Sequence, residues 1–376
     1  MKIIHVLNSL TSGGAEVFVS QLCIMQKKMG HDVMLLTHVG AVDQKGECLA
    51  RSLALEGVHQ KHLNIRANFK KWIVPIKFAA IIKSFVPDVI NVHLAACDLF
   101  AATSFFILDP FNIKFKNIVY LRTVHSTMKS ASIMPLGLFF TKRKYDQIIG
   151  CSRSVMLTSK SNLKINTYIN NGVELKKPLP KYEELEVFLE NGENLHLVCV
   201  GGFPNYMGKA GKGQDLIIRA IAELKDESIT VSFLGDGSLR IDLEKLALDL
   251  GVENQCHFLC KIKDVVGFFK LGDVFILPSL AEGLSIATVE AACMGLPLML
   301  SDIESFHIFS NKSTLFHEVG ILSSLVSSLK TMKKNHKELS REAYHRVANY
   351  RSEFSIEIVA SKYIDEYKRC LKFKSA

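Results

Sequence analysis

Short apolar runs alternate with longer amphipathic segments along this chain. Lys2–Leu7 is apolar apart from its first residue and His5, a helix-length segment follows to Met29, and Val33–Thr37 is the next apolar run. Runs of this length with turn residues at their ends predict buried strands, and the segment between them predicts a helix. Strand, glycine-containing turn, helix and strand form a βαβ unit, so the pattern predicts an α/β protein with parallel sheets.

The pattern occurs twice, in two halves of similar length. Further strands are predicted at 89–92 and 118–121 in the first half, and a second series begins with Leu195–Val200 and Ile229–Leu234. Pro178 and Pro180 mark the connection between the halves. The chain ends with helical periodicity from Ser355 onward. We therefore predict a first domain at 1–178, a second at 179–354 and a final helix at 355–376.

Composition is that of an ordered protein that does not cross a membrane. The chain has 376 residues, of which 48% are hydrophobic and 22% charged, which is sufficient for two cores. Its longest apolar region, 94–108, contains Asp98 and is shorter than the roughly 20 residues of a transmembrane helix. The nine cysteines are scattered, and Cys256 with Cys260 lacks a second ligand pair, so we predict reduced thiols in a cytoplasmic protein and no metal site.

Positive charge is concentrated in the first half. Residues 1–178 contain 23 Lys/Arg and 10 Asp/Glu, a net +13, whereas residues 179–376 contain 23 and 27, a net −4. The stretches 66–73 and 133–145 combine cations with aromatic residues, which suits contact with an anionic membrane. The alternative interpretation is a core helix flanked by ordinary surface lysines. No nucleic-acid-binding motif is present, so nucleic acid is not predicted as a partner.

The segment 281–297 has the pattern best suited to chemistry. Glu282 lies in a predicted strand-to-helix turn, and Glu290 lies about two helical turns further on. A helix is predicted from Thr288 to Met294. Between the two glutamates, Gly283, Leu284 and Ser285 expose backbone N–H groups at the N-terminus of this helix, which attracts anions. Two carboxylates around an anion site suit a nucleotide sugar, which has hydroxyls at both ends and phosphates between. The alternative is that Glu282 caps the helix and Glu290 is an ordinary solvated residue.

The sequence of this segment resembles the signature motif of a known enzyme family. Glu282-Gly283-Leu284 and Glu290-Ala291 resemble the acidic signature of retaining GT-B glycosyltransferases of family GT4. Gly13-Gly14-Ala15-Glu16, Thr123-Val124-His125 and Lys212-Gly213 resemble three further landmarks of that family. The resemblance implies the GT-B architecture, an α/β fold of two Rossmann-like domains facing across a cleft, with a C-terminal helix that crosses back to the first domain.

The resemblance also implies roles for individual residues. Glu282 and His125 would act at the sugar, and Glu290 would bind the ribose. The Gly14 backbone, Lys212 and the turn at Leu284, Ser285 and Ile286 would bind the diphosphate. Gly202 stands where the family has an arginine, and we expect Lys209 to supply that cation. No cofactor, metal or general base is implied, since in the mechanism proposed for the family the departing phosphate oxygen takes the acceptor proton.

The function implied is retaining, metal-independent transfer of a sugar from a nucleoside diphosphate sugar to a hydroxyl. The charge asymmetry favours a glycan or lipid-linked glycan acceptor, handled by a peripheral protein on the inner face of a bacterial cytoplasmic membrane during surface polysaccharide synthesis. One alternative is a GT-B sugar-nucleotide epimerase. The other is a catalytically silent nucleotide-sugar-binding subunit, which the glycine at 202 would allow.

Overall fold

The structure is a computed structural model. It describes residues 1–63, 73–94, 97, 117–125, 145–158, 165–175, 194–206, 209–259 and 265–375. Most of the two basic stretches, Cys260, Pro178 and Pro180 lie outside the described residues. The chain forms two units, one made of Met1–Glu174 with Ser355–Ala376 and the other of Leu175–Phe354.

Unit 1 is built on a parallel sheet of seven strands. Their spatial order is β3-β2-β1-β4-β5-β6-β7. The strands are β1 (Lys2–Leu7), β2 (Asp32–Thr37), β3 (His59–His62), β4 (Val89–His93), β5 (Val119–Val124), β6 (Gln147–Gly150) and β7 (Thr167–Tyr168). The helices described between them are α1 (Gly14–Lys28), α2 (Gln44–Leu55), α3 (Ile73–Phe85) and α4 (Arg153–Thr158).

Unit 2 contains a second parallel sheet, of six strands in the order β12-β11-β8-β13-β14-β15. These are β8 (Leu195–Val200), β11 (Ile229–Leu234), β12 (Cys256–Leu259), β13 (Val274–Leu277), β14 (Leu298–Ser301) and β15 (Thr314–His317). Two short antiparallel strands, β9 (Asn205–Tyr206) and β10 (Lys209–Ala210), form a separate ribbon. The helices are α5 (Gln214–Leu224), α6 (Arg240–Asp249), α7 (Val265–Phe269), α8 (Ile286–Cys293) and α9 (Leu322–Phe354), with a 3₁₀ helix at Glu304–Phe309.

The final helix, α10 (Ile356–Ser375), packs into unit 1. Its Tyr363 and Tyr367 are fully buried, and Asn91 Nδ2 donates a hydrogen bond of 3.0 Å to the Tyr367 hydroxyl. A Cβ on Gly172 would lie 2.9 Å from Val359 on this helix, so the close approach requires a glycine. The last segment of the chain thus completes the core of the first unit.

The central strands are hydrophobic because helices cover both faces of a parallel sheet. All four residues of β13 are buried, as are all five of β4. The predicted α/β class is confirmed. In such sheets the loops beyond the carboxyl ends of the strands lie along one edge, and ligands bind there. Among the described residues, no helix has both the length and the apolar character needed to span a bilayer.

Candidate functional site

Two loops of unit 2 meet beyond the carboxyl ends of the neighbouring strands β8 and β13. The lysine loop (residues 211–213) precedes α5, and the glutamate loop (residues 278–285) joins β13 to α8. Lys212 Nζ forms an ion pair with Glu282 Oε1. The same carboxylate oxygen accepts a hydrogen bond of 2.8 Å from Ser279 Oγ. The Glu282 side chain is 9% exposed and that of Lys212 is 28% exposed, so water and salt screen the pair less than a surface ion pair.

Backbone contacts fix the separation of these loops. Leu280 N donates to Gly211 O at 3.1 Å. Gly213 has φ = +74°, in the left-handed region, and a Cβ built on it would lie 2.2 Å from Pro278 O. Only glycine combines that conformation with that approach. The glutamate loop is also tied to β14, since Ser301 Oγ donates to Ser279 O at 2.6 Å.

Helix α8 begins beside the ion pair. It starts at Ile286, two residues earlier than the predicted Thr288, because Ser285 Oγ accepts from Thr288 N at 3.3 Å and caps the first turn. Leu284, Ser285 and Ile286 are buried, and Glu290 is half-buried in the second turn of the helix. The predicted arrangement of Glu282 before a helix start and Glu290 within the helix is therefore present.

Gly202, at the position where the family has an arginine, has room for a Cβ. A Cβ on Gly202 would lie 3.5 Å from Asp236 O and 3.9 Å from Pro204 Cδ, which are ordinary contact distances. The Gly202 carbonyl accepts from Gln214 Nε2 at 3.1 Å. Lys209 is in β10, where its backbone pairs with Tyr206, and its side chain lies outside the part of the structure that is described. Its role as the replacement cation stays a prediction.

The predicted phosphate turn of unit 1 is at the start of α1. Gly14 is the first helical residue, and Gly13 is the N-cap without a side-chain hydrogen bond. A Cβ on Gly13 would lie 2.2 Å from Glu16 Oε2, so the glutamate side chain folds back over the turn. Burial raises the pKa of that carboxyl. The sequence motif contains Glu16 but did not predict that its side chain folds back over Gly13.

His125 directly follows β5, as its motif predicted. Its Nε2 is 3.0 Å from His93 Nδ1, and its ring lies edge-on to Phe18 with the ring centroids 5.9 Å apart. Burial, with a smaller contribution from the positive charge of Arg122, lowers the pKa of His125 to about 4. The imidazole is therefore neutral at pH 7, and it can accept or donate one hydrogen bond at each nitrogen according to its tautomer.

Metal-binding side chains are not clustered in the part of the chain that the structure describes. No group of three or more His, Cys, Asp or Glu residues there could hold an ion. Cys256 is a buried free thiol at the start of β12, and burial raises its pKa to about 12.

Solved structures show the fold, and two family models show the class of enzyme. The structure of Anabaena HepE in complex with UDP and glucose matches 98% of this chain and all of its own, with a TM-score of 0.80 and 15% identity. The family described as Glycosyl transferases group 1 matches residues 194–331, which include Lys212 and Glu282. The family described as Glycosyltransferase Family 4 matches residues 12–177, which include Gly14 and His125. The chain is a GT-B glycosyltransferase.

Two bacterial relatives are similar in sequence to part of this glycosyltransferase. An Escherichia coli O-antigen biosynthesis glycosyltransferase, WclY, is 26% identical over 161 residues, which is 43% of this chain and 44% of the relative. An Escherichia coli UDP-Gal:alpha-D-GlcNAc-diphosphoundecaprenol alpha-1,3-galactosyltransferase is 33% identical over 145 residues, which is 36% of each chain. These matches support the sugar-transfer class at the level of sequence.

The contact between the loops can be tested with two glycines. Gly213→Ala is expected to lower the midpoint of thermal unfolding more than Gly251→Ala. Both positions have a left-handed φ, +74° and +69°, where a Cβ costs about 1–2 kcal/mol. A Cβ on Gly251 would have no atom within 4 Å, whereas one on Gly213 would collide with Pro278, which adds on the order of 1–3 kcal/mol. Scanning calorimetry of both variants makes the comparison, and equal shifts would contradict the loop packing.

Proposed function

We propose that this enzyme transfers a sugar, with retention of anomeric configuration and without a metal ion, from a nucleoside diphosphate sugar to a hydroxyl of a glycan or lipid-linked glycan. The observation that supports it most is the half-buried Lys212–Glu282 pair beside the N-terminus of α8. A cation, a helix N-terminus and a carboxylate within one pair of loops match the charges of a diphosphate and the hydroxyls of a sugar.

The ion pair suggests how the donor is bound. Before the donor arrives, Glu282 neutralises the charge of Lys212, which keeps the ammonium in a poorly hydrated position. The diphosphate then competes for Lys212 and for the first turn of α8, at Leu284, Ser285 and Ile286. Glu282 is released to accept hydrogen bonds from sugar hydroxyls, while Ser279 continues to hold its Oε1. Glu290, in the same helix, binds the ribose hydroxyls.

The transfer step depends on stabilising the negative charge that develops on the leaving diphosphate. The bond between the anomeric carbon and the diphosphate oxygen breaks, and negative charge grows on the leaving group. Lys212 and the α8 amides are already oriented towards that charge, so little reorganisation is needed during the reaction. The leaving phosphate oxygen accepts the proton of the attacking hydroxyl, so no side chain acts as general base. His125 contributes a hydrogen bond to a sugar hydroxyl.

Relatives suggest the donor and the acceptor. Anabaena HepE was crystallised with UDP and glucose, and the galactosyltransferase relative uses UDP-Gal and an undecaprenol-linked acceptor, as its name states. WclY acts in O-antigen synthesis. We infer a UDP-sugar donor and a lipid-linked acceptor in bacterial surface polysaccharide synthesis.

Loss of either charged partner should reduce transfer while the fold is kept. Glu282→Ala and Lys212→Ala are each expected to lower the transfer rate by about 10²–10³-fold, which is the usual effect of removing one preorganised charge-stabilising group. Lys333→Ala is the matched control, because Lys333 forms an ion pair with Asp226 in the same unit but outside both loops. Rates are measured with radiolabelled UDP-sugars, and thermal unfolding checks the fold. Near-normal transfer by Glu282→Ala would refute its assignment.

The stereochemistry and the metal requirement can be read from one reaction. The NMR spectrum of the product is expected to show the same anomeric configuration as the donor, and EDTA should leave the rate unchanged, because Lys212 and the α8 amides stabilise the leaving group. Product of inverted configuration would contradict retention, and a rate lost with EDTA and restored by Mn²⁺ would contradict metal independence. Release of free or isomerised sugar without any need for acceptor would instead identify an epimerase.

We further propose that the enzyme is cytoplasmic and docks peripherally on the inner face of the membrane through unit 1. The net charge of +13 on residues 1–178 supports this, because each Lys or Arg near an anionic surface contributes about 1 kcal/mol. The protein is expected to float with phosphatidylglycerol vesicles at low salt and to be released at high salt. Phosphatidylcholine vesicles are the control, and equal recovery with both lipids, or none with either, would count against docking.

A further inference from the structure

A row of four hydrogen-bonded side chains runs through unit 1 and ends at His125. Gln26 Oε1 is 2.8 Å from His5 Nε2. His5 Nδ1 is 2.9 Å from His93 Nε2, and His93 Nδ1 is 3.0 Å from His125 Nε2. We call this row the histidine relay (Gln26, His5, His93 and His125).

Strand order brings the relay together. His5 is in β1, His93 ends β4 and His125 follows β5, and these three strands are neighbours in the sheet. Gln26 reaches His5 from the last turns of α1. Gln26, His5 and His93 are 0% exposed, so the relay is closed to solvent along its length and only its His125 end adjoins the strand-end loops.

The imidazoles of the relay are neutral, so all its hydrogen bonds must run in the same donor-to-acceptor direction. Burial lowers the pKa of His5 to about 4 and that of His93 well below its ordinary value. A neutral imidazole carries one N–H and one lone pair. The carbonyl oxygen of Gln26 can only accept, so His5 donates from Nε2 and must accept at Nδ1.

The direction of each hydrogen bond in the row fixes the direction of the next. His93 donates from Nε2 to His5 and accepts at Nδ1, so His125 donates from Nε2 to His93. The proton of His125 is thereby fixed on Nε2, and its Nδ1 carries a lone pair. That Nδ1 is buried and has no hydrogen-bond partner among the described residues. A buried acceptor without a donor is unfavourable, and a hydrogen-bond donor from a ligand would remove that penalty.

We propose that Gln26, His5 and His93 are positioning residues that hold His125 in its Nε2–H tautomer, so that Nδ1 accepts a hydrogen bond from a hydroxyl of the donor sugar. This proposal rests on the proposed function for the identity of the ligand, whereas the tautomer rests on the relay alone. A lone pair at Nδ1 selects a hydroxyl and repels a phosphate or carboxylate oxygen, which brings no proton. His125 therefore recognises the sugar and not the diphosphate.

The orientation of the Gln26 amide decides the direction of every bond in the relay. In the described residues Gln26 Oε1 faces His5, and Gln26 Nε2 is buried without a hydrogen-bond partner. Reversal of the amide would make Gln26 a donor and would move the His125 proton to Nδ1.

Nitrogen NMR tests the tautomer directly. In the whole enzyme labelled with ¹⁵N in its histidine rings, the His125 signals are assigned by their loss in His125→Gln. We expect Nε2 to be protonated and Nδ1 unprotonated at pH 7. A protonated Nδ1, or an equal mixture of both tautomers, overturns the relay whatever the activity of the enzyme. The Nε2–H tautomer in a protein without transferase activity would leave the relay standing and remove the proposed function.

Two variants on α1 test the consequence. Gln26→Met removes the terminal acceptor and is expected to mix the His125 tautomers and to lower kcat about tenfold, comparable to the lower end of the effect of removing the outer partner of a metal-binding histidine. KM for the donor should change little. Gln21→Met, on the same helix but outside the relay, is the matched control and should alter neither quantity. An unchanged His125 spectrum in Gln26→Met would overturn the role of Gln26.

The ligand class is tested with UDP and three UDP-sugars, those of glucose, galactose and N-acetylglucosamine. At least one UDP-sugar is expected to shift the His125 Nδ1 signal, because a hydroxyl then donates to it, whereas UDP alone should not. A shift of the same size with UDP, or none with any of the three sugars, would overturn the assignment of a sugar hydroxyl to His125.

Discussion

The ion pair between Lys212 and Glu282 is the interaction on which the proposed donor site depends. An ammonium and a carboxylate that are mostly removed from water repay their desolvation only if their geometry is held closely. Ser279 holds the carboxylate oxygen, and the Leu280–Gly211 hydrogen bond holds the two loops at a fixed separation. The cation is thus kept in place before a diphosphate arrives, which is the preorganisation that charge stabilisation in catalysis requires.

In both units the order of the parallel strands brings the candidate functional side chains together. In unit 2 the neighbouring strands β8 and β13 place Lys212 and Glu282 in adjacent loops. In unit 1 the neighbours β1, β4 and β5 place His5, His93 and His125 in one hydrogen-bonded row. In each unit, residues distant in sequence become neighbours because strand order differs from chain order. The carboxyl ends of the parallel strands also all lie on the same side of the sheet.

The fold class and the two charged loop residues could be predicted from the sequence, whereas contacts that depend on three-dimensional packing could not. The apolar runs predicted the principal strands, and the sequence motifs around Glu282 and Lys212 indicated the class of enzyme. Both are local features of the sequence. The contact of Ser279 with Glu282 was missed because it depends on the conformation of one loop. The histidine relay was missed because it depends on which strands are neighbours in the sheet. The strands β9 and β10 are too short to carry a periodic pattern. Helix α8 begins at Ile286 because a single cap, Ser285, outweighs the composition of its first turn.

A crystal structure of the enzyme with UDP tests the central claim most directly. We expect the diphosphate to lie within hydrogen-bond distance of Lys212 Nζ and of the first-turn amides of α8, with the Lys212–Glu282 contact lengthened or broken. That exchange of partners is what a preorganised cation would do when its intended anion arrives. A diphosphate bound elsewhere, with Lys212 still paired only to Glu282, would contradict the account.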